Sequence, residues 1–269
     1  MSITYLGVSG FVIRGGPLAD SALMTGPSFT RQRLLAVALP FWPVHPDTRL
    51  IDSLLAPELL DNVSAILIGH SHYDHLLDAP YVARTKAKAA VIYGSPTTAN
   101  ILAPVASEVH GVHAVPPDSV GTAKAAGRWY PIAGGRARFM ALESSHAPNI
   151  GFLRYTYADA TDAVPRTSLP RTTHGWHKGE VYAYLIDLLD PAGAPVFRIL
   201  FQDAAAEPEF SVLPPLAPAD QHRVDVAIIC AGNFGNADDY PSALLRNLSP
   251  KHVIVSHWED FFEHAYPPI

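Results

Sequence analysis

The sequence predicts one continuous α/β domain spanning residues 1–269. Short apolar segments bounded by turn residues alternate with stretches of helical spacing, and no internal repeat divides the chain. Hydrophobic residues make up 48% of the sequence and charged residues 16%, so the chain can build a large core and is not disordered over most of its length.

The first half of the sequence predicts strands that alternate with helices. Two strands lie on either side of a turn at Gly7, and a third is expected before the Pro-rich stretch 40–46. The run 64–69 is apolar on both faces, which is typical of a central strand covered on two sides. The predicted strands are 3–6, 10–13, 34–39, 64–69 and 91–93, and the predicted helices are 52–60, 76–88 and 97–102, followed by irregular chain to about Tyr130.

The second half is richer in predicted strands. A helix is expected over 241–248, because Pro241 stands near its first turn. Residues 159–178 are rich in Thr, Pro, Arg and His and are expected to form a long loop that covers another part of the protein. The predicted strands are 137–142, 151–157, 181–188, 196–201, 224–229 and 253–256.

Charge and hydropathy exclude several classes of protein. The formal net charge is −6 at pH 7 without a basic stretch, which argues against a nucleic-acid partner. No apolar run approaches the roughly 18 to 20 residues of a transmembrane segment, and no secretory signal is visible, so we expect a cytoplasmic protein. The single cysteine, Cys230, closes a predicted strand and is interpreted as a buried small hydrophobe rather than a nucleophile.

The strongest functional signal is the hexapeptide His70-Ser-His-Tyr-Asp-His75, which stands where an apolar strand ends and a helix is about to begin. Strand periodicity puts His70 and His72 on one side, so both imidazoles can reach one cation. The turn that follows directs Asp74 and His75 toward a second position beside it. A polar helix cap would explain Asp74 but not three histidines, and the hexapeptide therefore predicts a metal site.

Three more residues occupy positions that such a site would need. Each lies at or just beyond the C-terminal end of a predicted strand, the edge at which ligands collect in open α/β sheets. We therefore expect four separated segments to converge there. The three residues are His146, Asp203 and His257.

These residues and their spacing resemble the metallo-β-lactamase superfamily over nearly the whole chain. Residues 3–13 (Ile-Thr-Tyr-Leu-Gly-Val-Ser-Gly-Phe-Val-Ile) are similar to the family's opening hairpin, and 68–76 (Ile-Gly-His-Ser-His-Tyr-Asp-His-Leu) to its metal motif. The third His at His146, the bridging Asp at Asp203 and 255–258 (Val-Ser-His-Trp) complete the pattern. Within the superfamily the sequence is most similar to the branch of L-ascorbate-6-phosphate lactonase and N-acyl phosphatidylethanolamine phospholipase D.

The resemblance implies an αββα four-layer sandwich and a dinuclear metal-dependent hydrolase. A hydroxide bridging two divalent ions would attack an ester, lactone or phosphodiester of a small or lipid-like substrate, while Asp74 orients it or passes a proton to the leaving group. Imidazole and carboxylate ligands favour Zn²⁺ but also accommodate Mn²⁺ or Fe. By resemblance, the first ion would be held by His70, His72 and His146, the second by Asp74, His75 and His257, and Asp203 would bridge them.

Three departures from family patterns narrow this interpretation. Class B lactamases typically place Cys or His where this chain has Asp203, so antibiotic hydrolysis is not expected. Val8 stands where the branch often carries His. The sequence ends at Ile269, soon after His257, which leaves no room for the glutathione-binding domain of glyoxalase II.

Three other functions remain as alternatives. A mononuclear iron oxidoreductase of the persulfide dioxygenase type would use one ion and be indifferent to loss of His75. A nuclease of the RNase Z kind is disfavoured because acidic residues outnumber basic ones and no basic stretch is present. A non-catalytic binding protein would normally show a broken ligand set, whereas all seven positions are filled here.

Weaker candidates have both a functional and a structural interpretation. In the loop 173–179, His174, Trp176 and His177 could contact a substrate's phosphate or acyl group, or could be ordinary loop residues. The apolar stretch 40–45 could bind a hydrophobic substrate or pack against its own domain. The low charged fraction leaves room for a homo-oligomer interface. Three residues with metal-like spacing are interpreted as exposed loop because prolines follow them: Glu108, His110 and His113.

Overall fold

Two six-stranded sheets form the centre of the computed structural model, which describes residues 1–39, 41–55, 60, 62–148, 159–259 and 262. The first sheet has its strands in chain order: β1 (Ser2–Gly7), β2 (Gly10–Arg14), β3 (Ala22–Thr25), β4 (Val63–Leu67), β5 (Val91–Gly94) and β6 (Gly111–Ala114). The pairs within β1–β3 are antiparallel, and β3 to β6 are parallel.

The second sheet is also mixed. Its strands, again in chain order, are β7 (Tyr130–Ile132), β8 (Ala137–Glu143), β9 (Tyr182–Leu189), β10 (Pro195–Phe201), β11 (Val226–Cys230) and β12 (His252–Ser256). The strands β7 to β10 are antiparallel, and β10 to β12 are parallel.

Helices cover the outer faces of the sheets. They are α1 (Leu34–Ala38), α2 (Thr48–Leu54), α3 (Tyr73–Leu76), α4 (Ala79–Thr85), α5 (Pro96–Leu102) and α6 (Ser242–Leu248). None of the helices in the described part of the chain has the length and apolar character required to cross a bilayer.

Alternation along the central strands divides the core into layers. In β4, Leu67 points into a cluster that also contains Phe139 of the second sheet, while the adjacent Ile66 joins a cluster with Val82 of α4. A third cluster lies between the second sheet and α6, where Leu244 is buried. The order of layers is therefore helix, sheet, sheet, helix, and the predicted α/β sandwich is confirmed.

Several predicted elements differ in the structure. The segment predicted as a strand over 34–39 is the helix α1, in which Leu34 and Leu35 are each 59% exposed and only Ala36 is buried. An apolar run with so little burial has no place in a sheet, and its Leu and Ala residues favour a helix.

The helix expected over 52–60 begins earlier, at Thr48, because the Asp47 carboxylate accepts a hydrogen bond from the Leu50 N–H. Residues 56–59 lie outside the described part of the chain. The helix expected over 76–88 is divided into α3 and α4 around Asp78, whose carboxylate accepts the backbone N–H groups of Phe29 and Thr30 at 2.7 and 2.8 Å.

Three short strands were not predicted: β3, β6 and β7. At three or four residues each, they are too short for alternation to stand out from the surrounding chain. The strand expected over 151–157 lies outside the described residues.

Candidate metal centre

The ends of four strands bring the hexapeptide and the three later candidates together. His70 follows β4, and Asp74 and His75 lie on the short helix α3. The strands β8, β10 and β12 are followed by His146, Asp203 and His257. Three overlapping groups of metal-binding side chains result, each with ligand atoms within 4.8 Å of one another: His70, His72 and His146; His70, His75 and Asp203; Asp74, His75 and His257.

The first group consists of imidazoles only. Nε2 of His70 lies 3.1 Å from Nδ1 of His72, and the His146 ring stands 4.8 and 5.0 Å from these two rings. Nδ1 of His146 lies 2.6 Å from the carbonyl oxygen of Ala147, which leaves Nε2 for a ligand.

Asp203 lies between the two ends of the site. Its Oδ1 is 3.1 Å from Nδ1 of His70, and its Oδ2 is 3.4 Å from Nδ1 of His75. Gly69 makes room for this carboxylate, because a Cβ at that position would stand 2.4 Å from the Asp203 carboxyl group.

Asp74 joins the last group. Its Oδ2 lies 3.1 Å from Nε2 of His75 and 3.3 Å from Nε2 of His257. The His257 backbone has φ of 57°, which turns the chain out of β12 toward the site.

Backbone contacts hold the segment that carries the first two histidines. The Gly69 carbonyl accepts the Tyr182 N–H at 2.8 Å, and the Ser71 N–H donates to the Lys178 carbonyl at 2.9 Å. The Tyr184 hydroxyl donates to the Ile68 carbonyl at 2.8 Å. The start of β9 and the loop before it therefore fix the position of the metal motif.

Burial determines the charge state of the imidazoles. Burial lowers the pKa of His70, His72 and His146, and neighbouring imidazoles lower the first two further. These three side chains are therefore neutral near pH 7, the form in which imidazole binds a metal.

The carboxylates and His75 behave differently. Burial raises the pKa of Asp203. Burial also opposes the charged form of Asp74, but the charges and hydrogen bonds of His75 and His257 outweigh it and lower the Asp74 pKa. For His75 the two neighbouring carboxylates outweigh burial and raise its pKa. Asp74 therefore stays ionised near neutral pH, whereas burial disfavours a second uncompensated negative charge at Asp203.

The donor set fits divalent metal ions. Buried carboxylates and imidazoles are costly unless they are paired or coordinate a cation. The residues supply neutral imidazole nitrogens and two carboxylates. The absence of a side chain at Gly69 leaves space for one of these carboxylates, Asp203, between the two ends of the site. Nitrogen and oxygen ligands of this kind suit Zn²⁺, Mn²⁺ and Fe²⁺.

The three candidates from the loop 173–179 lie outside the metal-binding groups. Nε2 of His174 contacts the Val37 carbonyl at 2.8 Å, Trp176 is 1% exposed within the core beside the first sheet, and His177 lies 3.4 Å from Asp162. Within the described ranges, none of these three belongs to a metal-binding group. Their predicted contact with substrate stays a prediction.

The other weak candidates have structural partners. Glu108 forms an exposed ion pair with Arg84, and the His113 ring stands 5.3 Å from Tyr93 on the neighbouring strand. The expectation of exposed loop at His113 is therefore wrong in part, because this residue belongs to β6. Cys230 is buried and burial raises its thiol pKa, as expected of a core residue.

The apolar stretch 40–45 is divided between surface and core. Phe41 and Trp42 are 72% and 43% exposed, whereas Val44 is buried. Val44 and Trp176 line a cavity of about 630 Å³ on this side of the molecule. Pro40 lies outside the described residues.

Sequence reasoning missed Lys178. Its ammonium group donates to Asp159 at 2.8 Å, and its charge acts on His70 and His146, whose pKa values it lowers in addition to the larger effect of burial. The available signal was its position next to His177 in the segment 159–178, which was expected to form a loop that covers another part of the protein.

Comparison with known families identifies the superfamily of this chain. A family model described as "Beta-lactamase superfamily domain" matches residues 45–194, which is more than half of the chain. The chain belongs to the metallo-β-lactamase superfamily. The family resemblance in the sequence is thereby confirmed, and the superfamily consists mostly of metal-dependent hydrolases. A comparison with curated proteins finds no matching sequence.

Solved structures share the fold. One is Igni18, described as a novel metallo hydrolase from the hyperthermophilic archaeon Ignicoccus hospitalis, with a TM-score of 0.54 and 14% identity over 99% of this chain and 84% of that one. Another is a variant of CmlA beta-hydroxylase, with a TM-score of 0.50 and 14% identity over 95% of this chain. The match covers 45% of the hydroxylase chain.

Proposed function

We propose that the protein is a dinuclear metal-dependent hydrolase of small or lipid-like esters, lactones or phosphodiesters. The observation that supports this proposal is the overlap of the three metal-binding groups, since His70, His75 and Asp203 connect the other two. In this assignment His70, His72 and His146 would hold one ion, Asp74, His75 and His257 would hold the other, and Asp203 would serve both.

The chain's own residues prepare this chemistry. Two bound ions, with Zn²⁺ favoured, would lower the pKa of a shared water and polarise the bond under attack. Asp74 is held by His75 and His257 in its ionised form, so it can accept a proton and pass it toward a leaving group. Lys178, beside the first group, can contact a negatively charged part of the substrate.

The test compares wild type with His75→Ala and Asp203→Ala, purified without chelators. Metal content is measured in each, together with hydrolysis of one phosphodiester and one lactone. We expect nearly two equivalents of Zn or Mn in wild type, and losses of both metal and activity in the two variants. His113→Ala, on β6 outside the metal-binding groups of the described residues, serves as control and keeps wild-type metal content.

A second candidate is an iron oxidoreductase. The observation that favours it is the group of His70, His72 and His146, which could hold a single ion without the second position. It predicts a single iron that survives His75→Ala. That result would overturn the dinuclear assignment.

A further inference from the structure

One buried carboxylate ties the segment after β12 to the turn between β1 and β2. The Glu259 side chain accepts hydrogen bonds from the Tyr5 hydroxyl at 2.5 Å, from Nη2 of Arg31 at 2.9 Å and from the Val8 backbone N–H. The side chains of Glu259 and Arg31 are only 2% and 3% exposed. Charge-assisted hydrogen bonds of this kind are short and strong, so the two ends of the described chain are firmly joined.

The same turn holds the backbone of His257. Its N–H lies 2.7 Å from the Val8 carbonyl and 3.3 Å from the Tyr5 hydroxyl. The Trp258 ring is stacked on Tyr5, with ring centres 6.3 Å apart. Tyr5 and Val8 therefore contact both Glu259 and His257.

The backbone conformations show that these contacts hold the turn in an unfavourable form. Val8 and His257 have φ values of 52° and 57°. This left-handed region is strained for residues other than glycine and especially rare for a β-branched residue such as Val8, so it persists only where the surroundings impose it. The hydrogen bonds of Tyr5 and Val8 to Glu259, which Arg31 holds in place, provide that support.

We propose that Glu259 is a positioning residue for His257. By holding Val8 and Tyr5, it fixes the backbone at His257 and so directs its imidazole toward Asp74, 3.3 Å away. This inference rests on the proposed function, in which His257 is a ligand of the second ion. A purely structural Glu259 would instead change only the stability of the whole protein.

The test uses Glu259→Gln, which keeps the shape of the side chain and removes its charge. Tyr5→Phe removes the hydroxyl that contacts both Glu259 and His257, and serves the same purpose if the first variant does not fold. Asp239→Asn breaks an exposed ion pair with Arg246 and is the control. Two quantities are measured: stepwise zinc affinity against a competing chelator, and hydrogen exchange of the His257 amide in metal-free protein.

We expect the affinity for the second zinc equivalent to fall about 10- to 100-fold in Glu259→Gln and Tyr5→Phe, while the first stays within about threefold of wild type. Exchange of the His257 amide should accelerate at least about tenfold in these variants and stay unchanged in Asp239→Asn. Unchanged exchange, or equal weakening of both equivalents, overturns the positioning role while the dinuclear function stands. A wild type that binds only one zinc overturns the proposed function, and the inference with it.

Discussion

At the scale of single residues, the geometry of the site depends on Gly69 as much as on the proposed metal ligands. Asp203 occupies the space that any larger side chain at position 69 would fill. Its two carboxylate oxygens face His70 and His75, so a displacement of this one group affects both proposed metal positions.

We therefore expect Gly69→Ala to abolish normal metal binding. The added Cβ would meet the Asp203 carboxyl group at 2.4 Å, and that carboxylate is buried and has little room to move. Hydrolysis should fall more than about 100-fold, beyond the range observed for changes outside the ligand sphere. Metal analysis and activity assays check this prediction.

Gly235→Ala is the matched control, because a Cβ at that position meets nothing within 4 Å. It should keep wild-type metal content and activity. If Gly69→Ala also keeps both, Asp203 does not bridge the site.

At the scale of elements, the second sheet is joined by buried charges away from the metal centre. Asp187 on β9 pairs with Arg198 on β10 at 2.6 Å, and both side chains are fully buried. Arg138 on β8 pairs with the same carboxylate at 2.9 Å. Three neighbouring strands therefore share one ionic cluster.

Asp187→Ala should destabilise the fold by about 3–5 kcal/mol, because it leaves the buried Arg198 guanidinium without its carboxylate. Urea unfolding measures this change. A loss below about 1 kcal/mol would show that the cluster relaxes at little cost. Folded Asp187→Ala protein should retain its metal, since no atom of this cluster belongs to the site.

A second contact between strands predicts that the stability of the fold depends on pH. The Asp225 carboxylate accepts the Arg198 backbone N–H at 2.9 Å and contacts Lys251 and His222. It therefore joins the middle of β10 to the residues just before β11 and β12. Burial raises the Asp225 pKa, but these partners outweigh it and lower the pKa below its usual value.

Because the folded-state pKa is lowered, this contact stabilises the protein fully above the unfolded pKa of about 3.9 and is lost as the pH falls through the folded value. Asp225→Asn should therefore reduce stability at pH 7, and the difference from wild type should shrink toward pH 3. Urea midpoints at the two pH values test this. An equal difference at both would contradict the assignment.

At the scale of the whole molecule, the site joins both sheets. Its residues come from the segment after β4 in the first sheet and from the ends of β8, β10 and β12 in the second. A ligand that binds all of them stabilises the folded protein over the unfolded chain, in which these segments are far apart.

Zinc at about 100 times its dissociation constant should add about 2.7 kcal/mol per site and raise the melting temperature by roughly 5–10 °C for each site that it fills. Calorimetry of chelator-treated protein, with and without zinc, measures this shift. Asp203→Ala should show little of it, and magnesium at the same concentration should give none. A zinc shift that survives Asp203→Ala would place the bound metal elsewhere.

Much of the fold and of the candidate site can be predicted from local residue patterns. The hexapeptide, its place after an apolar strand and the strand-end positions of His146, Asp203 and His257 follow from short-range patterns, because alternation and turn residues act over a few neighbours. The same patterns wrongly predicted a strand at α1, because the burial of an apolar segment decides between strand and helix there. They also missed β3, whose four residues form a strand because they pair with β2 on one side and β4 on the other.

The contacts between residues that are distant in the chain cannot be predicted in this way. Nothing local to Glu259 indicates that it binds Tyr5 and Arg31, and nothing local to Gly69 indicates that Asp203 needs the space beside it. Such contacts join residues that are far apart in the chain, and they form only when both sheets have packed and brought their edges together. Local residue patterns therefore encode the chemistry of the site, whereas the packing of the complete fold determines its geometry.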